Sequence, residues 1–138
     1  MRAEDFVIKE RYTIDELRAL MAFLRSPEGC PWDREQTHDS IKKNLLEEAY
    51  EAIDAIDSED PARICDELGD VLMQVVFHAQ MSAEHGSFDF DDVISGICRK
   101  LISRHTHIFA GDSSGTASEV LGLWEKNKKK EKGLKSQS

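Results

Sequence analysis

Three prolines and eight glycines are few for 138 residues. With breakers this scarce, a chain of many short strands and tight turns is a poor fit. Cysteine is also sparse: Cys30, Cys65 and Cys98 form no CxxC pair. An odd number without such a pair argues against a disulfide framework and against a structural zinc site. No stretch approaches the roughly 20 apolar residues that a membrane helix needs. Positions 1–11 are charged throughout and hold no apolar signal core, so the expected setting is cytoplasmic, with no membrane partner. Basic residues are outnumbered 18 to 27, which leaves a net charge of −9. That balance opposes nucleic-acid binding, which relies on Lys and Arg to neutralise phosphates.

What remains is helical periodicity. Apolar residues recur at helical spacing, and no alternating β-branched run appears. The pattern predicts an all-α bundle of about five helices. One domain is expected over 13–132, with an extension at 1–12 and a disordered tail at 133–138. Thr13 and Glu16 form a capping box for the first helix, whose stripe is Leu17, Leu20, Met21 and Leu24. Ser26-Pro27-Glu28-Gly29-Cys30-Pro31 breaks it. A second helix is expected from about 39 to 57, with Ile41, Leu45, Ala49, Ile53 and Ile56 on its apolar face. Asp60 and Pro61 open the third, and Gly86 stops it. Its broad face of Ile64, Leu68, Val71, Leu72, Val75, Val76 and Ala79 suits a central helix. The fourth opens near Asp89 and buries Val93, Ile94, Ile97, Leu101 and Ile102. After a loop at 105–115, a fifth begins near Thr116. Cys65 and Cys98 fall beside apolar stripes and are expected in the core.

Acidic residues crowd the region 33–70, and basic residues concentrate after Arg99. Within the acidic region, Glu48 and Glu51 lie three apart on the second helix, and Glu67 and Asp70 three apart on the third. Like charges at that spacing share a face and repel. The joining turn is short, so the helices should run antiparallel. Both cross-pairs, Glu48 with Asp70 and Glu51 with Glu67, are symmetric about position 59. Equal rise then puts each pair at one height. Taken singly, such spacing usually marks a solvated face; matched heights about one turn favour convergence. Four converging anions demand cations. Oxygen-only ligands suit Mg²⁺, or Mn²⁺, over zinc. Glu47 is the best spare ligand or water-activating base. A di-iron carboxylate oxidase would need Glu-x-x-His on two helices. Only Glu35-Gln36-Thr37-His38 fits, at a helix start.

Lys100 and Arg104 are four apart on the fourth helix, as are Trp124 and Lys128 on the fifth. Such groups can grip phosphates and stack on a base. They can equally be surface lysines and a core tryptophan. His105 and His107 are expected to be structural.

These segments together resemble one known family. Glu48-x-x-Glu51, fifteen residues and Glu67-x-x-Asp70 resemble the metal signature of the MazG-like nucleotide pyrophosphohydrolases. Gly29-Cys30-Pro31-Trp32-Asp33-Arg34-Glu35-Gln36-Thr37 is similar to the family's opening segment. Leu46-Glu47-Glu48-Ala49-Tyr50-Glu51 and Asp66-Glu67-Leu68-Gly69-Asp70-Val71-Leu72 are similar to its core. Lys100 to Phe109 and Trp124 to Lys128 are similar to its C-terminal motifs. The family's usual Arg-Arg-His-Pro-His reads Ser103-Arg104-His105-Thr106-His107 here, without the second Arg and the Pro.

The resemblance implies an all-α fold that dimerises, or forms a higher homo-oligomer. It implies cleavage of nucleoside triphosphates to monophosphate and pyrophosphate. Glu48, Glu51, Glu67 and Asp70 would hold the metal. Asn44, Glu47, Lys100, Arg104, Trp124 and Lys128 would contact nucleotide, and Glu47, Glu48, Lys100 and Arg104 would serve the chemistry. The alternative is a nucleotide-binding or partner-binding helical dimer with little turnover.

Overall fold

A computed structural model of the chain describes residues 1–111 and 115–137, with side chains as far as 132. Among these residues there is no strand, and seven helices follow a 3₁₀ turn at Ala3–Asp5. They are α1 (Ile14–Leu24), α2 (Pro31–Glu35), α3 (His38–Ser58), α4 (Pro61–Glu84), α5 (Phe90–Arg104), α6 (Thr106–Phe109) and α7 (Ala117–Gln137). The chain divides into two compact units, 1–90 and 91–138. The side chains of the expected tail at 133–138 lie outside the described residues.

In the first unit the helix ends follow local chemistry. The Thr13 hydroxyl accepts from the Glu16 N–H at 3.2 Å, and the Glu16 carboxylate accepts from the Thr13 N–H at 2.9 Å. Thr37 caps α3 with Ser40 in the same reciprocal way. Asp60 accepts from the Ala62 N–H, and Pro61 takes the first helical position of α4. Gly86 follows α4 at φ 73°, the left-handed conformation that a side chain disfavours. The turn between α3 and α4 places Glu59 there as well, at φ 58°.

α3 and α4 pack along each other, and α1 packs on α4. Met21, Ile41, Ala52, Ala55, Val76, Phe77, Ala79 and Met81 form the core, together with Phe90. Several expectations of burial fail in this unit, Leu45 of α3 among them at 38% exposed. Ile53 and Ile56 are 52% and 53% exposed, and Ala52 and Ala55 are buried in their place. The stripe of α3 that meets α4 therefore runs Ile41, Glu48, Ala52, Ala55. Its small residues admit the close approach that α4 requires. Leu68 and Leu72 are likewise exposed on α4, although Ile64 and Val71 are half-buried. Cys65 is exposed rather than in the core, and Cys30 is half-buried.

The break after α1 is not all loop, because Pro31 opens the short α2. Arg25 ties this segment down. Its guanidinium pairs with Glu84 of α4 at 2.9 and 3.0 Å and donates to the carbonyls of Asp33 and Gln36. It also lies over the Phe77 ring. This guanidinium holds the Glu84 carboxyl below the usual carboxylate range. Gly29 passes so close to the carbonyls of Phe23 and Leu24 that a methyl group there would collide with both. An apolar hollow of about 750 Å³ lies between the N-terminal segment and α1, with Leu72 on its wall.

In the second unit, Thr116 accepts from the Glu119 N–H at the start of α7, as its capping pattern predicts. The expected loop at 105–115 contains the single turn of α6. Ile94, Ile97, Leu101 and Ile102 of α5, expected to be buried, are 38–52% exposed, and Cys98 is exposed too. A periodic stripe records a need for cover, which the described residues do not supply. No helix among the described residues is long and apolar enough to cross a membrane.

Candidate metal centre

Glu48 and Glu51 project from α3, and Glu67 and Asp70 from α4. One carboxylate oxygen from each lies within 4.8 Å of the other three. The convergence expected from symmetry about position 59 is therefore met. The short turn fixes the relative heights, and Ala52 and Ala55 let the helices approach. Glu48, Glu67 and Asp70 are half-buried, whereas Glu51 is exposed.

The group is under electrostatic load. Glu48 Oε2 and Glu67 Oε2 are buried without a hydrogen-bond partner. Burial, then the charges of Glu51 and Asp70, push the carboxyls of both Glu48 and Glu67 above their ordinary range. Buried, partnerless carboxylate oxygens facing like charges are a suitable donor set for a hard divalent cation. Glu47 adds to the field that raises Glu48 but is itself exposed and outside the converging set. Asn44 is half-buried on α3, one turn before Glu48.

Sequence reasoning passed over one residue on the same helices. Gln74 is 3% exposed, and its Oε1 has no partner. Its spacing of four from Asp70 was the available signal.

The second unit holds the other expected residues. The Arg104 guanidinium lies 5.2 Å from the centre of the Trp124 ring, and Lys128 Nζ lies 5.0 Å from it. Two cations thus flank one aromatic side chain. Glu131 was also missed. It accepts from Arg104 Nε and Nη2 at 3.2 and 3.1 Å and from the Ser103 hydroxyl. It lies three residues after Lys128 and seven after Trp124, so helical spacing could have flagged it. Lys100 is exposed on α5. His105 donates to the Leu101 carbonyl at 2.6 Å and so closes the end of α5, a structural role as expected. His107 stands beside it, with ring centres 5.5 Å apart.

Comparisons with known proteins point the same way. The model of the MazG nucleotide pyrophosphohydrolase domain matches residues 36–109. That match contains all four converging carboxylates. A Thermotoga maritima protein named nucleoside triphosphate pyrophosphohydrolase/pyrophosphatase MazG is 52% identical over 124 residues, 90% of this chain and 47% of its own length. An Escherichia coli nucleoside triphosphate pyrophosphohydrolase is 51% identical over 125 residues, 90% of this chain and 48% of its own. The Bacillus subtilis protein YabN, of uncharacterized function, is 46% identical over 88% of this chain and 25% of its own length. The chain thus spans half or less of the length of these curated relatives. Given the match over more than half its residues, the chain belongs to the MazG nucleotide pyrophosphohydrolase domain family.

Proposed function

We propose that this chain is a Mg²⁺-dependent hydrolase that splits nucleoside triphosphates between the α and β phosphates, releasing monophosphate and pyrophosphate. The carrying observation is the set of four carboxylate oxygens within 4.8 Å of one another, two of the carboxylates having a buried oxygen without a partner. The names of the relatives support the nucleotide substrate. The proposed domain is 13–132, and the proposed setting is the cytoplasm.

Glu48, Glu51, Glu67 and Asp70 would hold the ion, with Mn²⁺ as a substitute. When bound, it neutralises phosphate charge and makes water a better nucleophile. Exposed Glu47, beside Glu48, would take the proton of the attacking water. Lys100 and Arg104 would balance the charge that grows on the leaving pyrophosphate. Trp124 would stack on the base, and Lys128 and Asn44 would complete the nucleotide contacts. The active form would be a homodimer, because apolar faces on α3, α4 and α5 stand uncovered in one chain.

The test is pyrophosphate release from a panel of canonical and modified triphosphates, with Mg²⁺ and with EDTA. Release should require Mg²⁺ and should fall at least a hundredfold in Glu48→Gln and Asp70→Asn, in line with the loss of one essential group. Saturable nucleotide binding with no pyrophosphate from any triphosphate would instead make the chain a binding module. Normal turnover by either variant would remove the role of these carboxylates.

A further inference from the structure

Gln74 occupies the stripe of α4 that carries the acids. It lies four residues after Asp70 and seven after Glu67, about 6 Å farther along the axis than Asp70. That stripe faces α3 on both sides of Gln74. On one side the four carboxylates converge. On the other, His78 meets His38 of α3 with their Nδ1 atoms 2.7 Å apart. Asn44 of α3 stands at the matching height, since residues 44 and 74 are equally distant from position 59.

Within this layer Gln74 is nearly inaccessible, 3% exposed, and its Oε1 accepts from no group among the described residues. A buried carbonyl oxygen left in that state destabilises the fold, so its persistence calls for a partner supplied from outside the chain. The chemistry of the neighbouring centre specifies that partner. Mg²⁺ binds few protein oxygens and keeps several of its waters. Each such water gives its lone pair to the ion and can then only donate. It needs an acceptor: the carboxylate oxygens that do not ligate the ion offer some, and one turn along the same stripe the buried Gln74 Oε1, without a partner of its own, offers another.

We propose that Gln74 is a positioning residue of the metal centre, its Oε1 accepting a hydrogen bond from a hydration water of the divalent cation. The proposal rests on the reading of Glu48, Glu51, Glu67 and Asp70 as metal ligands. Groups of this kind around an ion commonly tune its affinity ten- to a hundredfold.

Calorimetric titration of the nucleotide-free full chain with MgCl₂ and MnCl₂, with thermal melts in EDTA, tests it. Gln74→Met keeps the length of the side chain and removes the acceptor. It should bind Mg²⁺ about tenfold more weakly, yet melt in EDTA no lower than the wild type, because the orphaned oxygen is gone. Gln74→Glu keeps an acceptor and should bind at least as tightly as the wild type. Wild-type Mg²⁺ affinity in Gln74→Met, or tenfold weaker binding in Gln74→Glu, overturns the proposal while leaving the metal centre in place. The Gln74→Glu result decides the matter if Gln74→Met does not fold. Should the wild type itself bind neither ion, as Glu48→Gln is expected not to, the metal reading fails and this inference fails with it.

Discussion

Glu48 and Glu67 show how little one residue type says about its own chemistry. Ten acids fall between positions 47 and 70, but only four meet. Their raised protonation has a sign that can be measured. A carboxyl whose folded pKa lies above its unfolded value near 4.5 supports the fold only when protonated. That support is complete below about 4.5 and is lost as the pH rises through the folded values. In EDTA, Glu48→Gln should therefore melt a few degrees above the wild type, with a gap that widens from pH 4.5 to pH 8. In saturating Mg²⁺ at pH 8 the order should reverse. Identical melting curves in EDTA at both pH values would mean that the four charges do not oppose the fold.

At the scale of elements, the helix starts and stops were legible because they are local. Thr13 with Glu16, Asp60 with Pro61 and Gly86 each act within one turn of chain. The heights of the acids were legible too, because turn length and helical rise determine them. Which face of α3 turns inward was not. Counting apolar residues favoured Ile53 and Ile56, whereas packing favoured Ala52 and Ala55, which let two backbones come close. The Arg25 junction was also hidden, since its partner Glu84 is 59 positions away. Arg25 has a side chain only 6% exposed and serves α1, α2 and α4 together. Arg25→Ala should cost about 2 kcal/mol in urea denaturation, because it leaves the part-buried carbonyls of Asp33 and Gln36 without this donor, whereas exposed Glu84 keeps Gln80. A loss below about 0.5 kcal/mol would reduce the pair to a surface contact.

For the whole molecule the lesson lies in what the chain leaves uncovered. Tyr50, Ile53 and Ile56 on α3 and Ile97 and Ile102 on α5 are about half exposed or more. These are the apolar residues that the proposed dimer would cover. Sedimentation equilibrium at micromolar concentration should give a mass near twice the 15.6 kDa of one chain. Ile53→Glu combined with Ile97→Glu should shift it to one chain. A wild type that stays monomeric at that concentration would remove the proposed dimer. No periodicity argument could have separated exposed stripes from those of a self-contained bundle, because a stripe looks the same whether or not the chain covers it.

The histidine contact between α3 and α4 bears on this. At one end the two helices are joined by two residues, Glu59 and Asp60; at the other, the rings of His38 and His78 stack 5.0 Å apart with their Nδ1 atoms 2.7 Å from each other, and Ser82 lies behind them. Mutual repulsion fills the stretch in between. The hairpin is thus a strung bow, fastened at both tips and pushed outward at its middle. An ion held by the four carboxylates, as proposed, would have little chain left to order. Its fit then depends on the fastenings as much as on the acids, so two proteins with identical acids could prefer ions of different radius.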